Sequence, residues 1–192
     1  MLLEYCPPKT LYNRWKHLGD MGVFAWMTEG LASDGDEERV IMIDATYLRA
    51  RRTASSLRVK KGGQNTKLHA VTDAKRCPLW FFMTAGQVSD YTGAAALLSS
   101  LPGAEWLIAD RGYDTDWLRE ALRGKGVRPC IPCRKSRGKA VGYDKLRNGR
   151  RKRIETIFSR LKDLRRIATH FDRCAKTFLS AVALAATVLL WL

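Results

Sequence analysis

The sequence is poor in acids, in histidine and in long apolar runs. Nineteen Asp and Glu stand against 34 Lys and Arg, a formal net charge of +15 over 192 residues. A field of that sign and size favours polyanionic partners, nucleic acid first and anionic membrane second. It names a class of partner and not an activity. Three histidines (His17, His69, His170) and five cysteines leave the zinc spacings unfilled. "CIPC", Cys130 to Cys133, has neither a second Cys pair nor a histidine placed to complete a site. The odd cysteine count, with no charged-then-apolar leader, predicts reduced cytoplasmic thiols and not a disulfide framework. Cys130 and Cys133 read as structural cysteines at a strand end. The run "FLSAVALAATVLLWL" extends for about 15 residues, short of the roughly 20 that span a bilayer. It predicts a buried last helix and no membrane partner.

The length suits one domain with a small appendage, and 46% hydrophobic with 28% charged residues is an ordinary globular balance. Residues 10–32 read as two helices, with Leu11, Trp15 and Leu18 on one face and a new apolar set after Gly19. The acidic link "SDGDEE" (33–38) sets them apart, so the expected division is a helical segment at 1–38 and a main domain at 39–192. "VIMI" reads as a buried strand that Asp44 ends. A basic loop at 51–65 follows, then a hairpin at 66–74 and 78–86. A helix opens at "SD" (89–101), a strand runs through "WLIA" to Asp110, and a capped helix covers 114–126. "VRPCIPC" is a short strand, 134–149 a basic loop, 150–170 one long helix, and about 175 onward the last helix. Three strands followed by alternating helices and strands predict an α/β fold, a mixed sheet flanked by helices.

Asp44 and Asp110 each follow a buried-strand run, and ligands of open α/β sheets gather beyond strand ends. Either Asp alone also fits a turn or helix cap. Glu155 is the one acid in "RRKRIETIFSR" (150–160). It fits an i,i+4 ion pair with Arg151, worth about 0.2–0.5 kcal/mol. It also borders the stripe Ile154, Ile157, Phe158 and Leu161, which lets it face the sheet. Three carboxylates are hard oxygen donors suited to Mg²⁺. Two such ions about 3.5–4 Å apart activate a water or a 3′-hydroxyl and stabilise the leaving oxygen of a phosphodiester. On the residues alone, the capping and ion-pair reading and the metal reading both stay open.

"MIDATYLRARRTA", "TKLHAVTDA", "FFMTAGQVSDYTGA", "IADRGYDTDWLREAL" and "RRIATHFDR" occur in this order. Together they resemble the DDE transposases of bacterial insertion sequences, and the insertion-sequence-five group among them, over residues 9–192. The resemblance implies a ribonuclease-H-like catalytic domain preceded by a short helical segment. It maps the Asp, Asp, Glu triad onto Asp44, Asp110 and Glu155, as catalytic residues and ligands of two Mg²⁺ ions for which Mn²⁺ can substitute. It also implies Arg151, Lys162, Lys67, Arg111 and Arg153 as DNA-binding or supporting cations. The activity implied is cleavage and strand transfer, with terminal inverted repeats and target DNA as partners, a homodimer in the DNA complex, an upstream-frame fusion partner, and a place at the nucleoid. The third family motif has Tyr where this chain has Asn148, followed by Gly149, and the loop at 58–65 is shorter than the pattern. Those departures keep a second reading open, a remnant that binds DNA without cutting it.

Overall fold

A computed structural model describes residues 7–32, 39–50, 65–75, 77–98, 101, 103–170 and 174–191. Helices α1 (Pro8–Asp20) and α2 (Val23–Ala32) come first. Gly22 separates them at φ +74°, a left-handed backbone that glycine adopts without a Cβ clash. The centre is a mixed sheet ordered β3-β2-β1-β4-β5. Its strands are β1 (Val40–Ala50), β2 (Asn65–Asp73), β3 (Pro78–Ala85), β4 (Trp106–Ile108) and β5 (Arg128–Cys130). The first three pair antiparallel, and β4 and β5 run parallel to β1. A two-residue strand β6 (Thr169–His170) adds to the far end of β1.

Period-2 alternation along β1 sends its side chains to two cores. Val40, Met42 and Leu48 pack with Ile154, Ile157, Phe158 and Leu161 of α6 (Lys152–Asp163) and with Phe178, Val182 and Ala186 of α8 (Ala175–Trp191). Ile41 and Ile43 pack with Ala94 of α3 (Asp90–Leu97), with Tyr113, and with Leu118 and Leu122 of α4 (Asp116–Gly124). Helices α1 and α2 pack on α8, and α2 also reaches β3. No helix among the described residues is long and apolar enough to cross a membrane.

Several sequence expectations change here. Asp44 does not end its strand, because β1 continues to Ala50 on the strength of its antiparallel ladder with β2. What ends near Asp44 is the parallel ladder to β4, at Met42. The long helix expected at 150–170 breaks at Leu164, whose extended backbone (φ −78°, ψ 105°) separates α6 from the short α7 (Arg165–Ala168) and from β6. Within the expected basic loop lies a helical turn, α5 (Lys145–Gly149), where the Asp144 carboxylate accepts from the Arg147 N–H at 2.9 Å. The loop at 51–64 lies outside the described residues.

Candidate active site

The parallel register places the first two acids. Val40 pairs with Trp106 and Met42 with Ile108. The same offset, carried two residues past the last pair, brings Asp44 and Asp110 toward the same end of the ladder, and the charge of Asp110 acts on Asp44. Asp44 shares the β1 face of Met42, so it looks toward α6. There Arg151 Nη1 donates to Asp44 Oδ2 at 3.1 Å, and Arg151 Nη2 lies 2.6 Å from Glu155 Oε1. One guanidinium thus joins an acid from the sheet and an acid from the helix. Thr46, two residues on from Asp44, accepts from Lys162 Nζ at 2.5 Å. Asp110 stands where β4 gives way to a 3-10 turn at Arg111–Tyr113, and its Oδ1 accepts from the Gly112 N–H at 2.8 Å. It serves as a cap and a strand-end acid at once.

Burial sets the electrostatics. The Asp44 side chain is 11% exposed. Desolvation pushes its pKa up to about 6, with the charges of Asp110 and Glu155 adding to the push against the Ala45 N–H and Arg151. Burial also raises Asp110, opposed by the Gly112 N–H and by Arg151. Acids that raise one another's proton affinity share a site that is short of positive charge.

The chemistry this permits narrows once the chain is set beside known proteins. The family model described as "Transposase DDE domain" matches residues 35–190. The chain belongs to that family. It is 36% identical over 128 residues to a putative transposase for insertion sequence element IS6501 from Brucella ovis, covering 66% of this chain and 98% of the relative. It is 30% identical over 137 residues to a putative transposase for IS402 from Burkholderia cepacia, covering 66% of this chain and 63% of that relative. The fold is similar to that in the cryo-EM structure of the piggyBac transposase synaptic complex with hairpin DNA. The TM-score is 0.50 at 9% identity, over 80% of this chain and 46% of the other. The sheet is that of the ribonuclease-H-like cores, with helices on both faces.

In this DDE domain the other expected residues have definite places. Lys67 is no surface lysine. It is buried, and its Nζ donates to Val88 O at 2.7 Å and to Asp90 Oδ1 at 2.9 Å. Burial works against its charge, yet the Asp90 carboxylate holds its pKa above the usual lysine value. Arg111 is exposed on the 3-10 turn, and its charge acts on Asp110. Arg153 Nη1 donates to Ala74 O at 2.7 Å, tying α6 to the end of β2. Asn148, in the tyrosine position of the motif, donates from Nδ2 to Ala109 O at 3.2 Å and to Cys130 O at 3.4 Å. It fastens α5 to the ends of β4 and β5, next to Asp110. Cys130 and Cys133 are free thiols donating to Asp144 O and Val141 O.

Oxygen donors suited to a hard cation are supplied by Asp44, Asp110 and Glu155, the last with its side chain 48% exposed. Among the described residues no three His, Cys, Asp or Glu side chains are drawn tightly enough together to hold a metal ion. The guanidinium of Arg151 lies among these acids. Asp90 reads in the sequence only as part of a helix cap, yet it stands beside Asp110. The available signal is its place at a strand-to-helix junction, which alone does not tell a cap from a site.

Proposed function

We propose that this domain cuts and joins DNA at the ends of an insertion sequence, with Asp44, Asp110 and Glu155 as its catalytic acids. The observation that carries the reading is the bridge of Arg151 between Asp44 and Glu155. Two acids 111 positions apart by their numbers converge on one positive charge, and the charge of Asp110 acts on Asp44, which supports the grouping. The acids fit a pair of Mg²⁺ or Mn²⁺ ions in donor type. Bound ions would activate the attacking water or 3′-hydroxyl and stabilise the leaving oxygen. Asp44 and Asp110 hold the sheet side of the site, and Glu155 closes it from α6. Arg151, displaced from the acids, and Lys162 lie where scissile-strand phosphates would pass. DNA is then the partner, through terminal repeats and target. Two ends must be paired, so the working form is a dimer, completed where necessary by an upstream-frame product. The helical segment 1–38 supports the catalytic region 39–192, the placement in the insertion-sequence-five group follows the motifs, and the nucleoid is the site of action.

The test is a joint cleavage and strand-transfer assay with Glu155→Gln. The amide keeps the shape and loses the charge that a hard cation requires. Cleavage is expected to disappear while DNA affinity stays equal or rises slightly, since a negative charge leaves a DNA-facing helix. Cutting by the variant at the parent rate removes Glu155 from the site. A parent chain that binds DNA and cuts none leaves the non-cutting remnant as the reading.

A further inference from the structure

The acids around Asp110 number one more than the DDE triad accounts for. Asp90, first residue of α3, approaches from the sheet face opposite α6. One of its oxygens, Oδ1, is taken by Lys67 Nζ at 2.9 Å. The other points at the Asp110 turn. A Cβ built on Gly112 would meet Asp90 Oδ2 and Asp110 Oδ1, each at 2.8 Å. Gly112 therefore keeps a gap that any side chain would fill, and two carboxylates face each other across it. No described hydrogen bond joins them, and the charge of Asp90 raises the proton affinity of Asp110.

A second observation points to the same place. Tyr113 is fully buried, and its hydroxyl has no hydrogen-bond partner among the described residues. The acids whose charges act on it are Asp90, Asp44 and Asp110. A buried hydroxyl left unpaired carries its full desolvation penalty. Here that donor stands beside the acids, available to whatever they hold. Around this point Asp44, Asp90, Asp110 and Glu155 are set against the near cations Lys67, Arg151 and Arg111. Four negative charges with three positive ones, partly out of water, favour a further cation.

The geometry points to Asp90 as a fourth carboxylate ligand of the metal site, on the Asp110 side, with Tyr113 Oη donating into the same ligand shell. The inference rests on the metal reading above. Lys67 neutralises one oxygen of Asp90 and leaves the other facing Asp110, so it competes with the metal for this carboxylate.

The experiment is a Mn²⁺ titration of the full chain, reading the free-ion signal by electron paramagnetic resonance, alongside the thermal midpoint. Four proteins are compared: the parent, Asp110→Asn, Asp90→Asn and Lys67→Met. Asp90→Asn keeps its size and can still accept from Lys67. It is expected to weaken Mn²⁺ binding by about ten- to a hundredfold, the range seen when a metal's supporting groups are removed. Lys67→Met breaks the ion pair and leaves the carboxylate, so it is expected to bind Mn²⁺ as tightly as the parent or more tightly. A purely structural Asp90–Lys67 pair gives the opposite pattern, with both variants losing thermal stability and Mn²⁺ affinity together. That result overturns the proposal. So does unchanged binding by Asp90→Asn while Asp110→Asn loses it, which leaves the triad as the whole site. A parent that binds no Mn²⁺ overturns the metal reading and this inference with it.

Discussion

The guanidinium of Arg151 reaches the buried carboxylate of Asp44 across 107 residues of sequence, Nη1 to Oδ2 at 3.1 Å. The side chains are 27% and 11% exposed, so the pair is only partly screened by water. With its second nitrogen on Glu155, Arg151 neutralises two of the three acids proposed to hold a divalent ion. On that proposal arginine and metal compete for the same oxygens. Arg151→Gln is expected to tighten Mn²⁺ binding by several-fold, on the order of 1 kcal/mol, the scale of a part-exposed ion pair. Weaker binding by the variant would show that Arg151 holds the acids in place and does not compete.

A second network sets the platform behind Asp110. Asp114 has a fully buried carboxylate, which accepts from Arg119 Nε at 2.9 Å, from Arg137 Nη1 at 3.3 Å and from the Arg134 N–H at 2.8 Å. Burial alone would raise its pKa, but the Arg134 N–H and the two arginine charges outweigh that and hold it below the usual carboxylate range. The side chain of Arg134 then donates to the carbonyls of Arg111 and Gly112. The 3-10 turn that carries Asp110 is thereby fixed from outside. Asp114→Ala leaves Arg119, itself 2% exposed, without its buried partner. The expected loss is about 3–5 kcal/mol of folding stability, read as a lower urea midpoint. A loss under about 1 kcal/mol, the scale of a surface pair, would show that water already screens the network.

Much of the candidate site is legible in the chain. "VIMID" and "WLIAD" set two acids at matching offsets after buried runs of equal character, and those runs pair in parallel up to Met42 and Ile108. Glu155 beside an apolar helical stripe is legible too, because Ile154, Ile157 and Phe158 fix which side of α6 is buried. Asp90 is not legible. Its meaning depends on α3 crossing the face of β2 that carries Lys67 and His69, a tertiary relation that local pattern does not encode. The break at Leu164 is hidden for a similar reason. Residues 150–163 and 165–168 both favour helix, and the chain turns there because Thr169 pairs with β1. Asn148 reads as a missing side chain in the motif, and its Nδ2 bonds to Ala109 and Cys130 emerge only when α5 is laid across β4 and β5.

His69 gives the fold a pH signature. Its ring is fully buried, stacks on Phe82 with centroids 4.3 Å apart, and has Nε2 2.8 Å from Thr84 Oγ1. Burial lowers its pKa to about 4, with Asp90 opposing and Lys67 assisting. The unfolded chain takes up a proton near pH 6.5 and the folded chain only near 4, so the unfolded state binds more protons in that window. Stability therefore falls as pH drops from about 6.5 to 4, by on the order of 2–3 kcal/mol for this residue. Asp44 and Asp110, raised above their usual values, act in the opposite sense, so a comparison isolates His69. The stability difference between pH 7.5 and 4.5 should shrink in His69→Gln relative to the parent. An unchanged difference assigns the slope to other groups.

The last prediction concerns which cations meet DNA. In the basic stretch 134–153 the described arginines are largely engaged with the protein. Arg134 and Arg137 serve the Asp114 network, Arg147 lies over the Trp106 ring and pairs with Asp144, and Arg153 holds Ala74. Lys135, Lys139, Lys145 and Lys152 are exposed on the same stretch. Lysines of this kind meet phosphates as point charges and carry no sequence information. Helix α1 contributes Lys9, Arg14, Lys16 and His17 but packs on α8, and α2, with no Lys, Arg or His, packs on α8 and β3, so neither is assigned as the base-reading helix of a groove reader. Replacing the four lysines with Ala should lower affinity for every duplex alike. It should also flatten the dependence of log affinity on log salt by up to about 0.9 for each phosphate no longer neutralised. Arg134→Ala and Arg137→Ala should instead lower the urea midpoint and change the salt slope little. The parent should prefer a terminal repeat over a scrambled duplex by less than about a hundredfold, below the roughly 10³ that marks specific binders. A larger preference in a competition assay near physiological salt would place a sequence reader within this chain and overturn the assignment of α1 and α2 as packing helices.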